Sequence, residues 1–452
     1  MPEKHEHKPL RSTLPGIVLF RLIFSFHLAF LPVFAAGPER WDSFRGPYGN
    51  GIVAPPGENT GVPLTWSENE NIAWKTEIPY QGWSTPVIGG GRIWLTTATV
   101  DGHDFYVLSI DQENGQILLN KHLFHSDNPE ELGNEVNSYA SPTAALEEGR
   151  VYVHFGSYGT ACLDTATYEV LWTRTDLPCR HFRGPGSSVI LFEDLLLLTF
   201  DGADVQYLAA LNKNTGKTVW KTDRSTEWPD IDENGEVLRE GDFRKAFTTP
   251  FLVREKDRTL LFSQGSYATF AYDARTGKEL WKKTHSAYSP APCPVSGNGF
   301  VYIPIGRGVQ ELWAMKLSGT SSIVEKEASW IIAGKKVPAE PSPLLINGLL
   351  YLLSNDGIVT CLDGNSGEEY WSERIGGNYM ASPIYADGRI YCAGTRSKIT
   401  VLREGKQFEK LAVNELDEGM LASPVVAGSA IYLRTKTHLY RVELKKEPGE
   451  NN

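Results

Sequence analysis

Apolar residues in this chain fall in short β-rich runs, and one unit of such runs recurs along the sequence. Each copy opens with Ser-Pro or a close variant, continues through a few apolar residues to a Gly, and then returns to apolar and aromatic positions. A fixed unit repeated along a chain determines the architecture before any single residue is interpreted. Eight copies start at Ser84-Thr85-Pro86, Ser141-Pro142, Ser187-Ser188, Thr249-Pro250, Cys293-Pro294, Ser342-Pro343, Ser382-Pro383 and Ser423-Pro424.

The second half of the unit ends in a turn followed by a tryptophan. Leu362-Asp363 is followed by Gly367 and Trp371, and other copies end in the same way. Asx side chains satisfy nearby backbone groups and Gly accepts a positive φ, so Asp-x-x-Thr-Gly between apolar runs predicts a tight hairpin. The unit is therefore a β-meander. The other closing tryptophans are Trp172, Trp220, Trp281 and Trp330.

These meanders predict an all-β fold, an eight-bladed β-propeller of four-stranded antiparallel blades. A single meander cannot bury both of its faces, and units of roughly 40–60 residues have the size of propeller blades. The eighth copy stops after Leu439–Val442 without a final strand, whereas Ile72–Lys75 carries the closing pattern near the N-terminus. We expect this N-terminal strand to complete the last blade and remove an open sheet edge. The propeller then spans residues 72–443, after an N-terminal extension at 37–71.

The closing tryptophans and the cysteines both have structural interpretations. One Trp per blade at a fixed offset is what packing between adjacent blades requires, although stacking on a cofactor or sugar is the alternative. Cys162 and Cys361 occupy the same small-residue position in their copies. Since these copies are the second and sixth of eight, the two thiols lie too far apart for a disulfide. No metal-binding Cys-x-x-Cys spacing occurs in the sequence.

The net charge of the chain limits its possible partners, and its first residues indicate its location. A net charge of −11 makes nucleic acid and anionic membrane surfaces poor partners. Basic residues precede an apolar run at 22–34 that ends in small residues, which predicts a secretory signal peptide at residues 1–36. The segment is either cleaved or retained as an anchor, and we expect no stable membrane insertion after cleavage. We then expect a periplasmic or secreted location and a disordered tail at residues 444–452.

The repeat resembles the PQQ-like (pyrroloquinoline-quinone) repeat from Trp74 to Val442, and Trp41–Pro47 is similar to the start of exported bacterial proteins with that repeat. The resemblance implies two relatives. Quinoprotein alcohol dehydrogenases hold PQQ and Ca²⁺ over the propeller axis, and an outer-membrane lipoprotein of the β-barrel insertion machinery is an eight-bladed binding scaffold. This sequence has neither the adjacent cysteine pair of the first nor the lipidated cysteine of the second. The resemblance implies an architecture and leaves the activity open.

Candidate binding residues come from the start of the innermost strand of each copy, which faces the mouth of a propeller channel. Three cations and several aromatic rings there suit an anionic or planar ligand, such as a quinone carboxylate, an acidic sugar or a peptide C-terminus. The alternative is that the loops are polar because water fills the mouth. The predicted ligand-binding residues are Trp83, Asn137, Tyr139, His181, Arg183, Arg244, Lys245, Tyr288 and Tyr379.

Two acidic insertions add further candidates. Asp230, Asp232 and Asn234 reproduce the start of a Ca²⁺-binding loop, but Gly241 occupies the position where a bidentate Glu is required. An exposed acidic turn is the other interpretation of this insertion. A second acidic insertion, His125–Glu135, connects the first two copies and would lie on the rim, where loops confer recognition.

Two functions remain open from the sequence. The first is an exported binding or scaffold protein of the bacterial cell envelope that recognises a protein, peptide or glycan. The second is a PQQ-dependent dehydrogenase that oxidises an alcohol or sugar, with PQQ and Ca²⁺ as cofactors. The sequence contains no nucleophile elbow, Walker loop, dinucleotide-binding fingerprint or His-Glu-x-x-His motif.

Overall fold

Short hairpins divide the chain into antiparallel meanders, as the repeat predicts. The structure, a computed structural model, describes residues 39–133, 136–236, 241, 243–317, 324–325 and 327–445. In these residues eight sheets of four strands each form a ring, which confirms the all-β eight-bladed propeller. The predicted signal peptide and most of the predicted tail lie outside the described residues. No helix in the described ranges is long and apolar enough to span a membrane.

The strands follow the repeat in order, apart from the first strand, β1 (Ile72–Glu77), which belongs to the last blade. Blade one contains β2 (Val87–Gly89), β3 (Arg92–Ala98), β4 (Asp104–Asp111) and β5 (Ile117–His125). Blade two contains β6 (Ala145–Glu147), β7 (Arg150–His154), β8 (Thr160–Asp164) and β9 (Val170–Arg174). Blade three contains β10 (Ile190–Phe192), β11 (Leu195–Asp201), β12 (Gln206–Asn212) and β13 (Thr218–Asp223). Blade four contains β14 (Phe251–Arg254), β15 (Thr259–Gln264), β16 (Ala268–Asp273) and β17 (Glu279–Thr284).

The second half of the ring repeats this order. Blade five contains β18 (Val295–Gly297), β19 (Phe300–Pro304), β20 (Glu311–Lys316) and β21 (Trp330–Ala333). Blade six contains β22 (Leu344–Ile346), β23 (Leu349–Leu353), β24 (Ile358–Asp363) and β25 (Glu369–Arg374). Blade seven contains β26 (Ile384–Ala386), β27 (Arg389–Ala393), β28 (Lys398–Arg403) and β29 (Lys410–Glu415). Blade eight contains β30 (Val425–Ala427), β31 (Ala430–Arg434), β32 (His438–Val442) and β1.

The ring closes where the two ends of the chain share blade eight. Strand β1 pairs antiparallel with β32, so the predicted closure by the N-terminal strand is confirmed. The fully buried guanidinium of Arg434 adds a bond across the junction to blade one. Its Nη1 donates to the carbonyl of Ser84 at 2.8 Å, and its Nη2 donates to that of Thr96 at 3.0 Å. Burial lowers the pKa of Arg434 to about 9.

One hydrogen bond recurs between neighbouring blades at the start of the innermost strands. A backbone N–H in the opening Ser-Pro segment of one blade donates to the hydroxyl of the next blade. The donors and acceptors are Thr85 to Thr143 (2.9 Å), Thr143 to Ser188 (3.0 Å), Ser188 to Thr249 (2.9 Å), Cys293 to Ser342 (2.9 Å), Ser342 to Ser382 (3.0 Å) and Ser382 to Ser423 (3.0 Å). We call the six accepting side chains the hydroxyl belt. The belt explains why a small hydroxyl residue recurs at the start of the repeat.

The closing tryptophans lie between blades, as the repeat predicts. The Trp172 ring of blade two covers Gly216 in a hairpin of blade three, and its Nε1 donates to the carbonyl of Lys213 at 2.9 Å. Gly216 has φ +69°, and a Cβ added there would lie 2.8 Å from the indole. Trp330 makes the same contacts with Gly367 and with the carbonyl of Asn365 in the next blade. The hairpin Gly is therefore required both for its backbone conformation and for the tryptophan above it.

The N-terminal extension crosses the propeller channel between the innermost strands of blades one and seven. Trp41 pairs with Ile88 of blade one, and Ile52 pairs with Tyr385 of blade seven. Between these two anchors, the buried Arg45 donates from Nη2 to the carbonyls of Asn50 and Pro343, each at 2.6 Å. Burial lowers the pKa of Arg45 to about 10. The extension therefore closes one end of the channel.

All five cysteines lie in the described part of the chain, and each is a buried free thiol. Cys162 pairs across its sheet with Tyr152 and Trp172, and Cys361 occupies the same position in blade six. These are the small-residue packing positions that the repeat predicts, directly beside the closing tryptophan.

Replacing Trp172 by alanine tests the packing between blades. We expect Trp172→Ala to lower the free energy of unfolding by about 2–3 kcal/mol, because a half-buried indole and its hydrogen bond are lost. The matched control is Leu171→Ala, since Leu171 is 43% exposed on the same strand and a surface change costs about 0.5 kcal/mol or less. Chemical denaturation measures both, and an equal loss in the two variants would contradict this role.

Candidate functional site

A cavity lies on the propeller axis between the N-terminal extension and the opposite face of the ring. It has a volume of about 260 Å³, and Phe44 of the extension contributes to its lining. All six residues of the hydroxyl belt contribute to its wall. Each belt oxygen accepts a backbone N–H, so its own O–H remains as a donor. We call this space the axial cavity.

The mouth of the axial cavity combines aromatic, apolar and charged side chains. Trp83, Phe247 and Met380 contribute rings and a thioether, and Arg183 and Arg307 contribute two cations. Among the described lining residues, Glu340 is the only carboxylate. It forms an ion pair with Arg307 and accepts a hydrogen bond from Asn355. The described lining residues therefore include two guanidinium groups and one carboxylate.

The structure divides the nine predicted ligand-binding residues into two groups. Trp83, Asn137 and Arg183 line the axial cavity, and their contact with a ligand stays a prediction. Asn137 is held in place by its Nδ2, which donates to the carbonyls of Arg183 (2.8 Å) and Pro185 (3.0 Å). The other six residues lie outside the described lining: Tyr139, His181, Arg244, Lys245, Tyr288 and Tyr379.

The three tyrosines outside the lining have structural contacts. Tyr139 is buried against Gly102, and its hydroxyl donates to the carbonyl of Glu130 at 2.6 Å. Tyr379 is 2% exposed, and its backbone N–H donates to the carbonyl of Asn355. Tyr288 pairs through its backbone with Arg307. These residues shape the loops around the mouth, whereas the repeat alone predicts that they face it.

His181 and Lys245 form a buried contact between blades. The Ser157 backbone N–H donates to His181 Nε2 at 2.8 Å, so the proton of the neutral ring lies on Nδ1. That Nδ1 is 3.1 Å from Lys245 Nζ and 3.7 Å from Cys179 Sγ. Burial lowers the pKa of Lys245 to about 8 and holds the pKa of His181 well below its usual value. Neither residue is among the described residues that line the axial cavity.

Arg244, a predicted ligand-binding residue, forms an ion pair with Asp230 of the predicted calcium loop. The Arg244 guanidinium contacts both oxygens of Asp230, at 3.0 and 3.2 Å, and lies over the ring of Trp228. Asp232 Oδ1 accepts the backbone N–H groups of Asn234 (2.9 Å) and Glu236 (2.8 Å), and these bonds lower its pKa. The carboxylates of Asp230 and Asp232 thus already have hydrogen-bond donors from the protein. This favours the acidic turn over a Ca²⁺ site. Residues 237–240 lie outside the described part.

Sequence reasoning missed three parts of the site. Phe44 and Arg307 lie in segments outside the repeat pattern used to choose candidates, so nothing in the sequence placed them near the axis. The hydroxyl belt has a signal in the sequence, since the Ser-Pro starts form a repeat, but the repeat does not predict that their side chains line the cavity.

Comparisons with known proteins agree with this architecture. A family model described as "Outer membrane protein assembly factor BamB" matches residues 125–323 and 309–407, which carry blades two to six and the first three strands of blade seven. The chain belongs to this family. The resemblance to PQQ-like repeat propellers is therefore confirmed.

Individual relatives are distant in sequence. The curated outer membrane protein assembly factor BamB of Yersinia pestis is 22% identical over 264 residues, which span 48% of this chain and 64% of that relative. The structure of BamB from Moraxella catarrhalis has a TM-score of 0.57 at 12% identity and covers 84% of this chain and 99% of its own. Quinohemoprotein alcohol dehydrogenase from Comamonas testosteroni has a TM-score of 0.65 at 13% identity, covering 91% and 82%. At these identities the solved structures show the fold alone.

The residues of the axial cavity do not fit PQQ held with Ca²⁺. Calcium takes six to eight oxygen ligands, with carboxylates prominent among them. Glu340, the single carboxylate among the described lining residues, pairs with Arg307 and Asn355. The sequence has no adjacent cysteines to lie beneath a quinone ring, and Phe44 occupies the end of the cavity near the extension.

The buried Lys245 predicts a pH dependence of stability. Its folded-state pKa of about 8 lies below the ordinary lysine value, so the unfolded chain binds more protons between about pH 8 and 10.5. Stability relative to Lys245→Met should therefore rise with pH in that window, by an amount on the order of 2 kcal/mol. Denaturation midpoints between pH 7 and 10 measure this difference.

The control for this prediction is Lys278→Met, an exposed lysine of the same blade. Its profile should run parallel to that of the unchanged protein. If the difference between the unchanged protein and Lys245→Met stayed constant with pH, the buried amine would not titrate in this window.

Proposed function

We propose that this chain is a binding or scaffold protein of the bacterial cell envelope, located in the periplasm or secreted, and that a segment of a partner protein enters its axial cavity. The observation that carries the proposal is the form of that cavity. It opens on one face of the ring and is closed at the other by the N-terminal extension with Phe44 and Arg45. A rigid recess with one opening suits capture of a protruding group.

The chemistry of the cavity favours a partner group with a carboxylate. The belt presents O–H donors around the axis, and among the described lining residues Arg183 and Arg307 add guanidinium donors near the mouth. Hydroxyl and guanidinium donors are complementary to a carboxylate, and charged acceptors strengthen such bonds. A volume of about 260 Å³ holds a terminal residue or a side chain and excludes a folded element. A peptide C-terminus or an acidic side chain is therefore favoured over a glycan.

The surrounding loops would give the partner its specificity. The acidic connection from blade one to blade two leads to Val136 and Asn137, both of which line the axial cavity. Glu130 in this connection accepts the backbone N–H of Phe182 at 2.9 Å, which ties the loop to the approach of blade three. Loops held on a rigid scaffold in this way commonly carry recognition. The assembly-factor description of the matching family supports a binding role.

Site-specific photo-cross-linking tests the proposal. A photoreactive residue at Val136, beside the cavity mouth, should give an adduct with an envelope protein in living cells, and one at Tyr48 should not. Tyr48 is the matched control because it is 58% exposed and belongs to the N-terminal extension. Arg183→Glu should reduce the Val136 adduct at least about tenfold, because it places a like charge against a carboxylate. Trp83→Ala, which keeps the charge, should weaken it by removing the aromatic contact.

Two outcomes would contradict the proposal. One is equal labelling from Val136 and Tyr48, and the other is an adduct unchanged in both variants when their thermal unfolding matches that of the unchanged protein. Titration of the purified protein with PQQ and Ca²⁺ tests the competing function. Saturable cofactor binding accompanied by dye reduction would establish the dehydrogenase instead.

A further inference from the structure

Two histidines and an aspartate converge at the outer edge of blade one, away from the axial cavity. Asp104 Oδ1 lies 2.8 Å from His122 Nε2 and 2.8 Å from His125 Nδ1. One ligand atom from each of the three residues lies within 4.8 Å of the other two. All three side chains are reached by solvent, with exposures of 31%, 47% and 51% for Asp104, His122 and His125.

A β-bulge creates this convergence. In a regular strand, residues three apart point to opposite faces, so His122 and His125 would separate. The pairing of β4 with β5 shifts by one residue, because Phe105 pairs with Phe124 and Tyr106 pairs with His122. The extra residue, Leu123, returns both histidines to the face that carries Asp104. Bulges re-aim side chains in this way and often lie at functional positions.

Neighbouring groups orient both imidazoles. His125 Nε2 lies 3.3 Å from Asp127 Oδ1, so the ring nitrogen that does not face Asp104 has a carboxylate partner. The His103 ring stacks on His125, with centroids 6.0 Å apart, and its Nδ1 contacts the carbonyl of Ser126. On the other side, Tyr106 packs its ring against His122. Metal-bound histidines characteristically have such a partner on the second nitrogen, because it fixes the tautomer and the ring orientation.

We propose that Asp104, His122 and His125 bind a divalent first-row transition-metal ion, with Asp127 orienting His125. Two imidazoles and one carboxylate on one side of an ion suit zinc, copper, nickel or iron, whereas calcium and magnesium prefer oxygen ligands. Three protein ligands leave positions open for water or for a group from a partner. The site is independent of the axial cavity and of the acidic turn at Asp232.

A bound ion would also stabilise the rim of the propeller. His125 ends β5, and the connection to blade two begins directly after it. That connection leads to Val136 and Asn137 at the cavity mouth. An ion joining Asp104 of β4 to His125 of β5 would hold the first residue of the connection against the sheet.

Titration of the full chain with Zn²⁺ tests the site. Calorimetry at neutral pH should show one ion per chain, and Co²⁺ as a second probe should develop the visible absorption of an imidazole-ligated ion. His122→Asn and His125→Asn should each weaken Zn²⁺ binding at least about tenfold, and Asp127→Asn should weaken it by about tenfold through the orientation of His125. The matched control is His438→Asn, because this histidine lies on β32 in blade eight.

The results separate a metal site from a surface cluster of polar residues. Saturable binding that is lost in the two histidine variants and kept in His438→Asn supports the proposal. Absence of Zn²⁺ binding tighter than about 100 µM would overturn it, as would equal binding in His122→Asn and His438→Asn. Thermal unfolding without metal should match among all variants, and an increase in melting temperature with Zn²⁺ should occur only where the trio is intact.

Discussion

The hydrogen bond from one blade's backbone to the next blade's hydroxyl is the contact on which the rest of this structure depends. It recurs at six described junctions with lengths of 2.9–3.0 Å. Each bond sets the spacing of two innermost strands, and buried backbone donors need such partners. The same hydroxyls line the axial cavity, so the residues that join the blades also form the wall of this cavity. A change at the belt would therefore alter both the stability of the ring and the shape of the cavity.

The two remaining junctions show how the ring accommodates exceptions. Between blades four and five the hydroxyl is replaced by Cys293, whose Sγ donates to the carbonyl of Thr249 at 3.3 Å. Between blades eight and one, Arg434 satisfies carbonyls of Ser84 and Thr96. At this second junction the chain passes directly from β1 of blade eight to β2 of blade one. The buried guanidinium of Arg434 donates to two carbonyls of blade one, whereas a single hydroxyl has only one hydrogen to donate.

Much of the fold could be predicted from the sequence because its information is local and repeated. Asp363, Gly367 and Trp371 specify a turn, a positive φ and a packing residue within one hairpin, and the same pattern holds in other blades. The candidate site was predicted less well. Whether a side chain near the mouth points into the cavity or into the wall depends on the path of its loop. Phe182 and Arg183 have φ of +30° and +70°, and this turn directs Arg183 to the cavity while His181 lies inside the wall. No repeat encodes such a turn. The same limit applies to His122 and His125, since their convergence depends on a one-residue bulge.

The fold neighbours of this chain include a BamB structure and a quinohemoprotein alcohol dehydrogenase, so the same ring of blades occurs in proteins of different names and chemistry. Eight blades fix where an axial recess lies, but they leave its lining to the residue chosen at each strand start. In this chain those choices are hydroxyls, with Phe44 added from an extension outside the repeat. A lining of uncharged donors beneath two guanidinium groups favours an incoming anion, and it provides few oxygen anions for a metal-bound quinone. The function of such a propeller is therefore determined by a thin layer of side chains around its axis, and the blades determine only where that layer lies.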